Sequence, residues 1–405
     1  MTADTPGDTQ TAGSALDRFR AIVFADADLQ VELAQRRDPA AFAELAARRA
    51  RERGVGLDVD AVRHAAVADP LGVSRWDDQP LSQDWPEGDW LPVHAEGGPE
   101  PYVDWAQFAG APLTAPFFEE SRRKAAVLPF NAAFRRRTSL AGFIAAATPE
   151  RTRTPRGLIF HMSRCGSTLV AQMLAASSRN TVISEAPPLD AAVQIEAFGT
   201  PSGRCDGVLA AMVSALGRRW PAEDDRLFIK HDSWHAMSLA LIRRTYPRAP
   251  WVFLYRDPLE VMVSQARQAG VQTVPGMLPP HLFGIDPEEM PPDAYGAAAL
   301  GRTCGAAVDA FAHGGGLLVN YRELPDAVYT RILPHFGVTP DAEDLAAMAR
   351  TAGRDAKAPY AAFAPDGEAK RREATPRLFE LVDRYLTAPY RRLEALRAGN
   401  GSGVT

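Results

Sequence analysis

Two stretches of this 405-residue chain carry residue types at spacings suited to binding anions. The first runs Gly157-Leu-Ile-Phe-His161-Met-Ser163-Arg164-Cys165-Gly166-Ser167-Thr168 and reads as strand, tight loop and helix. Gly166 permits a tight turn and a close backbone approach to a ligand. The amides of residues 165–168 then face into the loop at a helix N-terminus, where both donors and dipole favour a phosphate-like group. Ser167 and Thr168 add hydroxyls, and Arg164 adds a permanent charge that can clamp an oxyanion. The chain contains no Gly-Lys-Ser/Thr, so it lacks the lysine and hydroxyl that nucleotide triphosphatases place on terminal phosphates and magnesium. The second stretch, Trp251 to Tyr255 followed by Arg256-Asp257-Pro258, is again an apolar strand opening a helix. Asp257 suits the N-cap and Pro258 the first helical position. Ser264, eight residues after Arg256, faces the same side as the helix start. Two anion-binding strand ends on one sheet call for a ligand with two separated phosphates.

These residues need a scaffold of alternating strands and helices, and from Arg156 onward the chain supplies one. Apolar strand candidates are 157–161, 181–184, 227–230, 251–255 and 316–320, each followed by an amphipathic helical stretch. That order predicts an α/β domain over 151–397, with a mostly parallel sheet, a P-loop-type phosphate site flanked by helices, and ligands at the strands' carboxyl ends.

The first 150 residues read differently. Residues 1–14 are expected to be disordered and 15–68 to form a helical module. In that module Leu16, Phe19, Ile22, Val23, Leu29 and Leu33 recur at helical spacing, Asp38-Pro39 opens a second helix and Gly54 closes it. Residues 69–150 read as a connector and helical cap. Trp76, Trp85, Trp90 and Trp105 lie among Pro, Gly and Asp, which predicts an irregular loop packed by aromatics, and 116–146 is expected to be helical. The Arg135-Arg136-Arg137 run suits a solvated face better than an anion site. Residues 398–405 read as a tail.

Composition narrows the classes further. Apolar residues make up 46% and the net charge is −5, which argues against a nucleic-acid partner; no run is long and apolar enough for a membrane span. The N-terminus lacks a signal-peptide pattern, and three scattered cysteines make no disulfide framework, so a cytoplasmic location is expected. No His or Cys spacing stands out as a ligand set, and no metal is expected. Only four of 45 basic residues are lysines, which draws attention to Lys230 at a strand end.

The pair of motifs resembles the sulfotransferases that use 3′-phosphoadenosine 5′-phosphosulfate, nearest to the protein-tyrosine and bacterial branch. The resemblance covers about residues 156–395. It implies that Arg164, Cys165, Gly166, Ser167 and Thr168 hold the 5′-phosphosulfate, while Arg256 and Ser264 hold the 3′-phosphate. Ser163 and Cys165 stand where Pro and Ser are usual. The same resemblance makes Glu185, in Ser184-Glu185-Ala186-Pro187, the preferred general base, with a pKa that must move towards neutral. His161, His231 and His235 are the competing bases. It makes Arg164 and Lys230 stabilisers of the transferring group and the bridging oxygen. Asn320-Tyr321-Arg322-Glu323-Leu324 resembles a later turn of the family, and Lys357 a loop that closes over the nucleotide. The implied reaction is metal-free sulfuryl transfer to a hydroxyl or amine of a small molecule or peptide. An ATP-dependent phosphotransferase and a non-catalytic nucleotide- or peptide-binding module are the alternatives. Separately, Asp28-Leu29, Leu33, Asp38, Phe42, Leu45-Ala46 and Gly54 resemble the small helical domain of nitrogen-fixation gene clusters and of leader peptides. This implies peptide or carrier recognition or a part in shaping the acceptor side; a packing cap that only stabilises the fold is the alternative.

Overall fold

The computed structural model describes residues 14–67, 81–218, 226–353 and 367–400. Expectations for residues 1–13, Trp76, Lys357 and 401–405 lie outside the described residues.

The α/β expectation is met. Strands β4 (Gly157–His161), β5 (Asn180–Ser184), β6 (Arg226–Lys230), β7 (Trp251–Tyr255) and β8 (Gly316–Asn320) form one parallel sheet in the order β5-β6-β4-β7-β8. β4 and β7 are buried throughout, as strands covered by helices on both faces must be. From β4 the chain steps to one side for β5 and β6, then crosses to the other side for β7 and β8. The order therefore reverses beside β4, which makes its carboxyl end the topological switch point, the place where open α/β sheets bind ligands. The loop after β4 and the turn after β7 are neighbours, because Leu158 to His161 pair in register with Trp251 to Leu254.

The irregular-loop expectation is overturned. Residues 90–107 form an antiparallel pair, β1 (Trp90–Glu96) and β2 (Tyr102–Gln107), and β3 (Arg136–Ser139) joins them in a three-stranded sheet. β3 also interrupts the expected helical stretch of 116–146. Pro92 and a register shift between Pro92 and His94 break the apolar alternation that would announce β1. β3 is polar in sequence, but its arginines are built into the fold. Arg137 makes two hydrogen bonds to Asp104 at 2.7 and 3.1 Å and lies 3.5 Å over the Tyr102 ring. Arg136 lies over Phe24.

The N-terminal helices, Ala15–Ala25, Ala27–Ala34, Pro39–Glu52 and Val59–Ala65, start at Ser14, Asp26, Asp38 and Asp58, whose side chains accept from the first-turn amides. Their apolar stripes close on Phe134, which meets Phe19, Phe24 and Phe42 edge-on at 5.9–6.5 Å. The buried Trp90 indole donates to Gln30 at 2.7 Å. The last helix, Thr387–Asn400, continues into the expected tail. Among the described residues no helix is long and apolar enough to cross a membrane.

Candidate active site

The loop after β4 is held in an unusual backbone path. Ser163 and Arg164 have φ of +76° and +52°, and Gly166, the N-cap of helix Ser167–Ala175, has +83°. A Cβ on Gly166 would sit 2.6 Å from Leu324 and 2.9 Å from the Tyr321 ring, so both conformation and packing require glycine. No side chain caps this helix. Its first amides therefore keep the open donors that suit an anion. Cys165 turns its thiol into the core, where it donates to Leu254 O at 3.1 Å, and burial pushes its pKa to about 12. Its contribution to a ligand in this pose is its backbone amide. Ser167 and Thr168 are buried at the helix start. Arg164 reaches the end of helix Pro258–Arg267, donating to Gln268 O at 2.8 Å.

The turn after β7 behaves as the spacing predicts. Asp257 accepts from the Leu259 and Glu260 amides, with Pro258 in the first turn. Arg256 is buried, donates to Glu260 at 2.7 Å and lies 4.0 Å over the Tyr321 ring. Glu260 also pairs with Arg371 at 3.0 Å. Ser264 is half-buried on the same helix. Tyr321 thus lies against both the loop at Gly166 and the Arg256 guanidinium, and Arg371 brings a further positive charge beside Glu260. Neither role is visible in the sequence, because each residue comes from a distant segment.

Glu185 and Lys230 end adjacent strands and meet directly. Ser184 pairs with Lys230 in register, and the Glu185 amide donates to Lys230 O at 2.8 Å. The Lys230 ammonium is fully buried, bonds Glu185 Oε1 and lies 5.0 Å over the Phe117 ring. Glu185 itself takes a left-handed φ of +48°, a strained choice for this residue. Burial would raise its carboxyl, but the Lys230 charge and the His161 hydrogen bond outweigh it and hold the pKa far below the usual carboxylate range. The expectation of a near-neutral pKa is therefore reversed in this resting arrangement.

The three histidines offered as competing bases are all buried; His161 and His235 are engaged at both ring nitrogens, whereas His231 Nε2 is buried without a hydrogen-bond partner among the described residues. His161 accepts the Ser163 amide on Nδ1 at 3.0 Å, and its Nε2 faces His231 O at 3.1 Å and Glu185 at 3.2 Å. His231 stacks on Phe160, and its Nδ1 lies 3.2 Å from His235 Nδ1. Burial, with the nearby His235, holds its pKa well down. His235 donates to Asp190 at 2.8 Å; burial lowers its pKa, but Asp190 and Asp232 reverse this to a net rise. Asp232, next to His231, is raised by burial to about 8. Asp190, Asp232 and His235 place ligand atoms within 4.8 Å of one another, Asp232 and His235 three residues apart in one segment and Asp190 brought to them from another. His235 Nε2 and the Trp234 indole already donate to Asp190. The signal that was open to sequence reading is the four-residue step from His231 to His235.

No family model matches the chain, the N-terminal helices included, and no curated protein matches it. Among solved structures it is similar to sulfotransferase STF9 from Mycobacterium avium, at 16% identity over 62% of this chain and 81% of that one, with a TM-score of 0.40. It is similar to the sulfotransferase domain from the curacin biosynthetic pathway, at 13% identity over 57% and 98%, with a TM-score of 0.34. The sulfotransferase domain of the Synechococcus PCC 7002 olefin synthase matches at 17% identity over 59% and 96%, with a TM-score of 0.36.

Proposed function

We propose that this protein is a sulfotransferase that moves a sulfuryl group from 3′-phosphoadenosine 5′-phosphosulfate to a hydroxyl or amine of a small molecule or peptide. One arrangement carries the reading: an uncapped helix-start loop after β4, a buried arginine after the adjacent β7, and a carboxylate–ammonium pair after β5 and β6. The left-handed cradle at Gly166 and the oriented guanidinium of Arg256 fit a nucleotide with phosphates at both ends.

When bound, the donor supplies an activated sulfuryl group on a phosphate leaving group. Arg164, Gly166, Ser167, Thr168 and the Cys165 amide would hold its 5′ end, and Arg256 and Ser264 would hold its 3′-phosphate. Glu185 would take the acceptor's proton as the acceptor bonds to sulfur and the S–O bond to the leaving phosphate breaks. Lys230 and Arg164 would stabilise the negative charge left on the leaving phosphate oxygen. In this arrangement Lys230 keeps Glu185 weakly basic. An ammonium drawn towards that developing charge would return basicity to the carboxylate at the step that uses it.

The test is a thermal-shift panel of adenosine 3′,5′-bisphosphate, AMP, ADP and ATP, followed by transfer of labelled sulfate in excess EDTA. The reading expects the bisphosphate to stabilise most and transfer to survive EDTA. Preference for ATP with a magnesium requirement would transfer the assignment to an ATP-dependent phosphotransferase. Bisphosphate binding without transfer to any acceptor would make the chain a binding module.

A further inference from the structure

We propose that His161 is a positioning residue that ties the anion loop to Glu185, one ring nitrogen fixing each. The inference rests on Glu185 acting as the base. It begins with the tautomer. The Ser163 N–H points at Nδ1 from 3.0 Å, so Nδ1 must be the acceptor and the neutral ring carries its proton on Nε2. That Nε2–H lies between His231 O at 3.1 Å and Glu185 Oε1 at 3.2 Å. The ring is buried, so water does not readily replace either partner. Burial, with the Lys230 charge, lowers its pKa and keeps it neutral, although the Glu185 hydrogen bond pulls the other way.

Both ends of this tie hold strained backbone. Ser163 and Arg164 are left-handed without being glycine, and Glu185 is left-handed as well. Such conformations persist only where surrounding contacts over-determine them. For the loop, those contacts include the His161 ring, Gln265, which donates to the Ser163 hydroxyl at 3.1 Å, and Gln268, which accepts from Arg164 at 2.8 Å. For Glu185 they are Lys230 and the His161 ring. The same imidazole therefore sets the loop that would hold the donor's 5′ end and the carboxylate that would take the acceptor's proton. Neither His231 nor His235 shows contacts of this kind with both elements.

Two substitutions separate the two ends. In His161→Asn the short carboxamide can accept the Ser163 amide in place of Nδ1 but does not reach Glu185. In His161→Gln the longer amide can donate to Glu185 in place of Nε2. Affinity is read by calorimetry with adenosine 3′,5′-bisphosphate, and turnover by its release from the sulfated donor with water as acceptor. His161→Asn should lose turnover about tenfold with affinity nearly kept, and His161→Gln should lose affinity about five- to tenfold with a smaller loss of turnover, the worth of one hydrogen bond in each case. Equal losses of both quantities in both variants would reduce His161 to a packing residue and overturn the proposal. Failure of the unaltered chain to bind the nucleotide would strike the functional reading instead. The ring then decides the tie by itself: ¹⁵N NMR at pH 7 should show neutral His161 protonated on Nε2, and an Nδ1–H tautomer or an imidazolium overturns it.

Discussion

Lys230 and Glu185 form an ion pair at the carboxyl edge of the sheet, with the ammonium wholly removed from solvent and the carboxylate only partly exposed. Breaking a pair of this kind leaves one buried charge unmatched. Lys230→Met should therefore destabilise the fold by about 3–5 kcal/mol, and adding Glu185→Gln should recover much of the loss. The pair is also insensitive to mild acid. Because the folded carboxyl is depressed below its ordinary value of 4.5, its contribution is present above that pH and is lost only as pH falls through the much lower folded pKa. Urea denaturation at pH 4 and pH 7 checks both points: the single and double variants should keep their order at either pH.

Glu185→Gln preserves shape but cannot accept a proton. Turnover should fall by about 10²–10⁴, the usual worth of a positioned general base, with nucleotide affinity within a few-fold of the parent chain. Calorimetry and single-turnover transfer give the two numbers. If Glu185→Gln turns over normally while His231→Ala is dead, the base lies at the histidine pair.

Arg256 is a buried cation packed on Tyr321 and bonded to Glu260, and the proposed function gives it the donor's 3′-phosphate. Arg256→Ala should weaken adenosine 3′,5′-bisphosphate by about ten- to hundredfold, the value of a charge-assisted contact of about 1.5–3 kcal/mol, and should hardly alter AMP, which has no 3′-phosphate. Equal weakening of both nucleotides would place Arg256 outside the 3′-phosphate site.

The five parallel strands were legible because each is a compact apolar run bounded by turn residues, and buried parallel strands leave that mark. β4, β7 and β8 match their expected spans, and β5 and β6 start one residue earlier. The small antiparallel sheet was not legible. Pro92 and the register shift hide β1, and Arg136 and Arg137 make β3 look like a solvated charge run when Asp104, Tyr102 and Phe24 receive them. Glu185, Lys230 and Arg256 could be named from motifs. Their long-range partners could not, because His161, Tyr321 and Arg371 meet them through the tertiary fold, whereas Glu260 stands one helical turn from Arg256.

Asp232 offers a pH test in the opposite direction. Burial raises its folded pKa to about 8 from an ordinary 3.8, so the folded chain keeps a proton that the unfolded chain releases. This contribution to stability is full below about pH 4 and is lost as pH rises towards 8. Asp232→Asn mimics the protonated form at every pH. It should match the parent chain near pH 3.5 and exceed it by a margin that grows as pH rises towards 8, by at most about 1.4 kcal/mol per pH unit. Urea midpoints across that range decide it, and an Asn variant that is less stable at pH 8 would mean that Asp232 is ionised and paired.

The N-terminal helices and the small sheet share a core, and this decides what their removal should do. Phe134 lies among Phe19, Phe24 and Phe42, Arg20 donates to Ala133 O at 2.9 Å, and Gln30 accepts the Trp90 indole proton. A chain beginning at Asp69 would expose Phe134 and leave a buried indole N–H without its acceptor. Phe42→Ala, which keeps the helices but opens a cavity at the same junction, should cost about 3–5 kcal/mol. If the junction is integral to the fold, that loss moves the unfolding midpoint of the whole chain, followed by the fluorescence of Trp85, Trp90 and Trp105, and the truncated chain is insoluble or unfolds at markedly lower urea. If the helices form an independent recruiting module, the truncated chain keeps its midpoint and its affinity for adenosine 3′,5′-bisphosphate and loses only transfer to the native acceptor. The shared Phe134 cluster and the Gln30–Trp90 bond favour the first outcome.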